Sequence, residues 1–155
     1  MKKHLLLSLM ALGLAACEKT DVGHSREPIV APFSQDFSLL YQQVASLDAS
    51  NQPELVVALT DVQHSICPLS ATCVAADFVA PTLTITSNSG QTQQVTFSRS
   101  TPRTPNANFI DSTSIRANGR RYQLYYVKWN ADRQGRNEAQ KEDISVALRI
   151  EKPAN

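Results

Sequence analysis

The chain has 155 residues and nearly balanced charge, with 15 Lys or Arg against 14 Asp or Glu. The first sixteen residues hold two of the lysines, and the remaining 139 residues carry 13 basic and 14 acidic side chains. This balance argues against a dedicated nucleic-acid-binding protein. A chain of this length is enough for one domain with a hydrophobic core.

The first sixteen residues have the pattern of an export signal. Lys2 and Lys3 precede an apolar stretch, residues 5–16, that is too short to span a bilayer comfortably. The L-A-A-C sequence that ends at Cys17 resembles the lipobox of bacterial lipoproteins, in which the cysteine is lipidated and becomes the first residue. The resemblance implies a signal peptide over residues 1–16 and a membrane anchor through lipid on Cys17. The alternative is an ordinary secretory signal in which Cys17 has no special role.

Lipid on Cys17 implies a location in the bacterial cell envelope, anchored at the outer membrane on its periplasmic or surface face. Residues 17–34 are predicted to be a flexible tether, because they are polar, contain Pro28 and Pro32, and lack a sustained apolar period. The folded domain is therefore expected over residues 35–153.

From residue 37 onward, apolar and polar residues alternate, as in strands that are buried on one face. A first strand is predicted over residues 37–47, with apolar residues at odd positions: Phe37, Leu39, Tyr41, Ala45 and Leu47. Three further strands are predicted at Leu55, Val57 and Leu59, at Val79, Leu83 and Ile85, and at Val95 and Phe97. The breaks before the second and fourth strands are Asn51-Gln52-Pro53 and Ser89-Gly90.

In the C-terminal half, Asn118-Gly119 is a two-residue hairpin signal, because both positions tolerate positive φ. It is predicted to join a strand over residues 113–117 to one over residues 121–129. Alternation in the second strand predicts that Tyr122, Leu124 and Tyr126 share one face. It places Tyr125, Val127 and Trp129 on the other face. Residues 144–150 alternate in the same way, with Ile144, Val146, Leu148 and Ile150 on one face. Residues 136–143 are the one segment that could form a helix, of only two turns.

Short strands separated by turns, with almost no helix, are typical of antiparallel sandwiches and barrels. The sequence therefore predicts a small all-β domain, an antiparallel β-sandwich of about six to eight strands.

HSICPLSATC, residues 64–73, holds His64, Cys67 and Cys73. With Cys17 taken by lipid, the other two cysteines are an even pair in an oxidising compartment, where a disulfide persists. Such a bond would brace a short loop between the second and third strands and contribute about 2 kcal/mol. The alternative is a metal or redox site at these three residues, which the cysteine spacing and the small number of ligands disfavour.

Residues 62–77, VQHSICPLSATCVAAD, resemble a segment of a group of small bacterial lipoproteins of unknown function. The pattern of that group is approximately V-x-D-S-R-C-P-x-x-x-x-C-x-W-A-G. The matching residues are Val62, Ser65, Cys67, Pro68, Cys73 and Ala76. The departures are His64 for Asp, Ile66 for Arg, Ala75 for Trp and Asp77 for Gly. The resemblance implies an all-β lipoprotein domain with a disulfide loop, and it implies no activity.

Charge is unevenly distributed along the chain. Residues 17–98 contain eight acidic and two basic side chains, whereas residues 99–136 contain eight basic and two acidic ones. The basic segment also holds four aromatic residues: Tyr122, Tyr125, Tyr126 and Trp129. Cations beside aromatic rings suit an anionic glycan, a lipid headgroup or an acidic protein surface. The alternative is that the sheets set basic against acidic strands and the charges only solvate the surface.

Two functions remain open. The first is a non-enzymatic, lipid-anchored module that binds an envelope protein or an anionic glycan through a surface of Arg120, Arg121, Lys128 and Trp129 with the 130–142 loop. The second is a metal- or redox-handling protein centred on His64, Cys67 and Cys73. No catalytic residue, metal ligand or cofactor is predicted, because the carboxylates are scattered and no nucleophile motif lies near His64.

Overall fold

The computed structural model describes residues 26–98 and 108–153. Two mostly antiparallel sheets pack face to face in this part of the chain, so the predicted all-β sandwich is confirmed. The strands are β1 (Ile29–Ala31), β2 (Phe37–Leu40), β3 (Val44–Leu47), β4 (Leu55–Ser65), β5 (Phe78–Ser87), β6 (Thr92–Thr96), β7 (Asp111–Ala117), β8 (Arg120–Ala131) and β9 (Ile144–Glu151).

The five-stranded sheet has the order β1-β3-β4-β5-β6, and the four-stranded sheet has the order β2-β9-β8-β7. All neighbours are antiparallel except β1 and β3, which are parallel. Inward-facing residues of both sheets interleave to form one core, as the period-two pattern predicts. The largest fully buried side chains include Leu39, Leu47, Leu55, Leu59, Leu83, Ile85, Ile115, Tyr122, Leu124, Tyr126, Ile144 and Leu148.

The first predicted strand is wrong as a single element. It breaks at a turn where Gln42 has a φ of 63°, and β2 joins the four-stranded sheet while β3 joins the five-stranded one. The Gln43 amide donates to Leu40 O (2.9 Å) and closes the turn. Odd positions face the core on both sides of the break, so the alternation does not reveal that the chain changes sheets.

The predicted tether is wrong for its last residues. Ile29–Ala31 pairs with β3, and Ala31 is buried. Phe33 stacks on Tyr122 with ring centroids 5.9 Å apart, and the Ser34 amide donates to Ile150 O (2.8 Å). A three-residue strand is too short to produce a visible alternation. The signal peptide, Cys17 and residues 17–25 of the predicted tether lie outside the described residues.

The predicted face of Trp129 is wrong because β8 contains a bulge. The register shifts between Tyr126 and Lys128, so Trp129 pairs with the buried residue Val146. Trp129 therefore packs against the core, and it does not share a face with Tyr125. The extra residue of a bulge reverses the alternation beyond it.

Residues 136–143 form no α-helix. They belong to a loop that ends in a single 3-10 turn, Lys141–Asp143. The predicted hairpin at Asn118-Gly119 is present, with φ values of 52° and 70°. Within residues 26–98 and 108–153, no helix has the length and hydropathy needed to cross a bilayer.

The sandwich has two ends with different connections. At one end are the cysteine loop (residues 66–77, between β4 and β5) and the β8–β9 loop (residues 132–143). We call this the cysteine-loop end. The β7–β8 turn, the β5–β6 turn and the loop before β4 lie at the opposite end, which we call the hairpin end.

Candidate functional site

The cysteine loop contains the predicted disulfide. Cys67 and Cys73 are bonded, with Cα atoms 5.9 Å apart. Their sulfurs are joined to each other, so this form of the protein offers no thiol at either position. Nearby, the His64 Nε2 atom lies 3.1 Å from Ala139 O of the β8–β9 loop. In the described residues, no three His, Cys, Asp or Glu side chains are grouped as metal ligands would be.

Further contacts brace the loop beyond the disulfide. The Cys67 amide donates to the Asp77 carboxylate (2.8 Å), which closes the base of the loop. Arg133 donates to Cys67 O (2.8 Å) and to Asn137 O (3.0 Å) from the β8–β9 loop. Asn137 in turn accepts from the amides of Leu69 (3.1 Å, at its carbonyl) and Ser70 (2.9 Å, at its side chain). The two loops are therefore one hydrogen-bonded unit.

Three residues that depart from the lipoprotein pattern have roles in this unit. His64 contacts the β8–β9 loop, Ile66 packs against the core while partly buried, and Asp77 holds the Cys67 amide. The chain therefore uses its own contacts where the pattern has Asp, Arg and Gly.

The tip of the cysteine loop is apolar and exposed. Leu69 is 68% exposed and Val74 is fully exposed. Only one other large hydrophobic residue among the described ones, Val30 on the edge strand β1, is exposed to a similar degree. Residues 68–76 contain no ionisable side chain apart from the bonded Cys73. A braced loop with an uncharged, apolar tip is unusual on a protein surface, where large apolar side chains tend to be scattered singly.

The four residues of the predicted binding surface do not come together. Arg120 and Arg121 lie at the hairpin end, and Lys128 lies seven residues further along β8, about 23 Å at the usual strand rise. Trp129 packs on the core side, and the 130–142 loop lies at the opposite end. The predicted surface is therefore wrong as a single patch.

The aromatic residues of the basic segment are also used elsewhere. Tyr122 and Tyr126 are buried, and the Tyr126 hydroxyl donates to Val79 O (2.9 Å) in the other sheet. Burial raises the pKa of Tyr126, so this cross-sheet donor stays protonated. Tyr125 packs edge-on against Phe109 and lies 5.0 Å from the Arg149 guanidinium. No aromatic platform forms at the hairpin end from these residues.

One pair of cations remains without partners. Arg116 lies directly opposite Arg121 across the β7–β8 hairpin, and both side chains are exposed. Neither guanidinium has an ion-pair or hydrogen-bond partner in the part of the chain that the structure describes. Directly opposed like charges destabilise a strand pair by a fraction of a kcal/mol, up to about 1 kcal/mol. The hairpin therefore keeps two charges that work against its own stability.

These arginines border an open cleft of about 340 Å³. Gln91 of the β5–β6 turn lines its other side, and Gln93 of β6 donates its side-chain amide to Arg116 O (2.9 Å). Guanidinium groups bind carboxylate and phosphate through two parallel hydrogen bonds, and side-chain amides bond to hydroxyls. The cleft thus combines the donors that an acidic, hydroxylated ligand requires.

Sequence reasoning identified Arg121 and missed Arg116. The signal was available, because a two-residue turn at Asn118-Gly119 sets Ala117 opposite Arg120 and Arg116 opposite Arg121. Charge counted along the chain conceals this pairing, which depends on hairpin register.

Arg120 differs from its neighbours because it has an acidic partner. Its guanidinium lies 4.0 Å from Glu54, which also contacts Lys152 Nζ (2.8 Å) and accepts from the Tyr122 hydroxyl. Partial burial acts to raise the pKa of Glu54, but the hydrogen bonds from Lys152 and Tyr122 outweigh it and lower the pKa. Hydrogen bonds to Asp48 and Glu54 raise the pKa of Lys152. This cluster neutralises Arg120 and leaves Arg116 and Arg121 as the cations of the hairpin end without a partner among the described residues.

The remaining described cations of the basic segment are dispersed. Arg133 bonds to carbonyl oxygens, Arg136 pairs with Asp143, and Lys128 stands alone on the outer face of the four-stranded sheet. Arg99 and Arg103 lie outside the described residues. The basic segment is therefore not one patch in the described structure.

Comparison of the chain with protein-family models, with curated proteins and with solved structures gives no match. Functional assignment therefore depends on the two ends of the sandwich described above.

Proposed function

We propose that the chain is a lipid-anchored protein of the bacterial cell envelope, a non-enzymatic module that binds an anionic glycan at its hairpin end. One observation carries the proposal: Arg116 and Arg121 face each other beside a cleft without any acidic partner among the described residues. A carboxylate or phosphate between them would remove their repulsion and gain two charge-assisted contacts.

The surroundings of the cleft favour a glycan over a simple ion. Gln91 supplies a neutral amide beside the guanidinium groups, as recognition of hydroxyl groups requires. The cleft is open along the surface, which suits a segment of a polymer. A wholly electrostatic surface without such amides would favour nucleic acid or lipid headgroups instead.

Calorimetric titration with an oligosaccharide of uronic acids, against a neutral oligosaccharide of the same length, tests the proposal. We expect binding of the acidic probe only, weakened at least tenfold in Arg116→Gln/Arg121→Gln. Lys128→Gln is the matched control, because it removes one exposed cation far from the cleft and should leave the affinity unchanged. Equal affinity of the double variant and the unmodified protein would exclude the cleft.

The lipid anchor has a separate test. The mass of the protein purified from membranes should include acyl groups on an N-terminal Cys17, and Cys17→Ser should be released into the soluble fraction. A soluble protein with an unmodified Cys17 would refute the anchor while leaving the glycan test untouched.

The competing proposal, a metal or redox site at His64, Cys67 and Cys73, predicts a different thiol content. It requires two titratable thiols in the native domain, whereas the binding module requires none. Thiol titration of the native protein with Cys17 replaced by Ser distinguishes the two.

A further inference from the structure

We infer that the cysteine loop is a membrane-docking element, whose Leu69 and Val74 side chains enter the interfacial region of the bilayer that holds the lipid on Cys17. The inference rests on the lipid anchor of the proposed function and goes beyond it. It assigns an occupant to the exposed apolar tip, and it fixes the orientation of the domain on the membrane.

The first argument is the side from which the chain enters the domain. Arg26 donates to Glu142 O (2.9 Å) of the β8–β9 loop, and Glu27 O accepts from the Gln43 side chain (2.8 Å) at the turn between β2 and β3. From there β1 runs parallel to β3, toward the hairpin end. The described part of the chain therefore enters the domain, at Arg26, on the side of the cysteine loop.

The second argument is reach. Nine peptide units separate Cys17 from Arg26, a distance of at most about 32 Å when fully extended. Gln43 is level with Leu59 of β4, and the cysteine loop begins seven residues beyond Leu59, about 23 Å at the usual strand rise. A bilayer surface that holds Cys17 is therefore within range of the loop tip.

The third argument is the chemistry of the tip. Leu69 and Val74 expose apolar surface, and residues 68–76 present no charge whose dehydration would oppose insertion. The disulfide, Asp77, Arg133 and Asn137 hold the loop in one conformation before contact. Preorganisation reduces the entropy lost on binding.

Two apolar side chains bind a membrane weakly, and the tether compensates for this. A short linker converts the second contact into an intramolecular one, at an effective concentration in the millimolar range. Stable membrane association commonly combines a lipid with a second signal of this kind. The loop therefore acts as an orienting contact, with the lipid as the main anchor.

The orientation has a consequence for the glycan cleft. Arg121 lies ten residues from Ala131 along β8, about 33 Å at the usual strand rise. With the cysteine loop on the bilayer, the hairpin end points away from the membrane and toward material beyond it.

Tryptophan fluorescence with brominated lipids tests the inference. The full lipidated chain is reconstituted in phosphatidylcholine vesicles as Trp129→Phe/Leu69→Trp, with Trp129→Phe/Asn88→Trp as the control at the hairpin end. We expect bromine in the upper acyl chains to quench the tryptophan at position 69 at least twofold and to leave the one at position 88 unchanged. The inference would be overturned if brominated lipid left the emission of both proteins unchanged.

Two further measurements keep the outcomes distinct. Vesicle flotation of each lipidated protein tests the anchor, with Cys17→Ser as the control. Failure of the lipidated protein to float would refute the anchor and the inference together. Flotation without quenching would refute the inference alone. Hydrogen exchange can be measured on the chain with Trp129 in place. We expect the amides of residues 68–76 to be protected when the protein is bound to vesicles. The variant Leu69→Ser/Val74→Ser should lose this protection, and the control Val30→Ser should keep it. Protection that instead follows concentration-dependent self-association in solution would assign the loop to a second copy of the chain and overturn membrane docking.

Discussion

The two ends of the sandwich leave opposite kinds of groups unsatisfied. At the cysteine-loop end four of the described cations have partners, and Lys128 on the outer sheet face has none: Arg26 and Arg133 bond to carbonyl oxygens, and Arg136 and Lys141 pair with Asp143 and Asp61. That end exposes apolar Leu69 and Val74 instead.

At the hairpin end the large apolar side chains of the described residues are covered, except for Val30 on the edge strand β1. Phe33 stacks on Tyr122, and Lys152 Nζ lies 4.2 Å from the centre of the Phe33 ring. What remains is the opposed pair of Arg116 and Arg121. Because a folded domain satisfies most of its groups internally, these exceptions are the basis of the two proposals above: an apolar surface bound at one end and an anionic ligand at the other.

Loss of the disulfide should have the largest effect on stability, and its local effect should be confined to the cysteine-loop end. Cys67→Ser/Cys73→Ser removes the constraint on a ring of seven residues, and we expect a loss of about 2 kcal/mol in the free energy of unfolding. Urea denaturation measures the loss. Amide exchange should accelerate more at Leu69 and Ser70 than at residues 116–121, where only the loss of global stability acts. Equal acceleration at both ends would contradict the separation.

Arg133→Met tests the second brace of the same end. The variant leaves Cys67 O and Asn137 O without the guanidinium, and charge-assisted hydrogen bonds of this kind stabilise by about 1.5 kcal/mol together once partial exposure is considered. Thermal unfolding measures the change, with Lys128→Met as the matched control, because Lys128 is an exposed cation without a partner among the described residues. An unchanged melting temperature in Arg133→Met would show that the two hydrogen bonds of this guanidinium do not stabilise the loop.

Glu54→Gln should destabilise the hairpin end by about 1 kcal/mol, because Glu54 is only 22% exposed and accepts from both Lys152 and Tyr122. The pKa of Glu54 is lowered in the folded state, so its contribution is present above its unfolded pKa and lost as pH falls through the folded pKa. Melting temperatures of the variant and the unmodified protein should therefore differ at pH 7, and the difference should shrink as pH falls below the ordinary range of a glutamate carboxyl. A difference that stays constant from neutral to acid pH would contradict the charge-based explanation.

Arg116→Gln should have the smallest effect and the opposite sign. Removing one member of a like-charged cross-strand pair is expected to stabilise the domain by a few tenths of a kcal/mol at low salt, and less at high salt. Differential melting at two salt concentrations measures it, with Lys128→Gln as the control of equal charge change. Destabilisation by Arg116→Gln would mean that this guanidinium has a structural role.

Alternation predicted most of the strands because burial of one face fixes side-chain parity. The Asn118-Gly119 turn predicted the hairpin, and the even number of cysteines left after Cys17, with export to an oxidising compartment expected, predicted the disulfide. The alternation of buried residues also concealed the change of sheet at Gln42, since odd positions face the core on both sides of that turn.

The candidate site was harder to predict, because it depends on register and distance. The bulge after Tyr126 turns Trp129 toward the core, and the length of β8 separates Lys128 from Arg121. No local pattern in the sequence indicates a bulge at this position. The apolar tip of the cysteine loop had no signal either, because Leu69 and Val74 resemble core residues until the fold places them outside.

A chemical-shift titration of the ¹⁵N-labelled domain with the uronic-acid oligosaccharide tests the division between the two ends most directly. We expect the amide shifts to change at residues 91–93 and 116–121 and to stay constant through the cysteine loop. Changes centred on residues 66–77, or none at residues 116–121 at saturating probe, would contradict it.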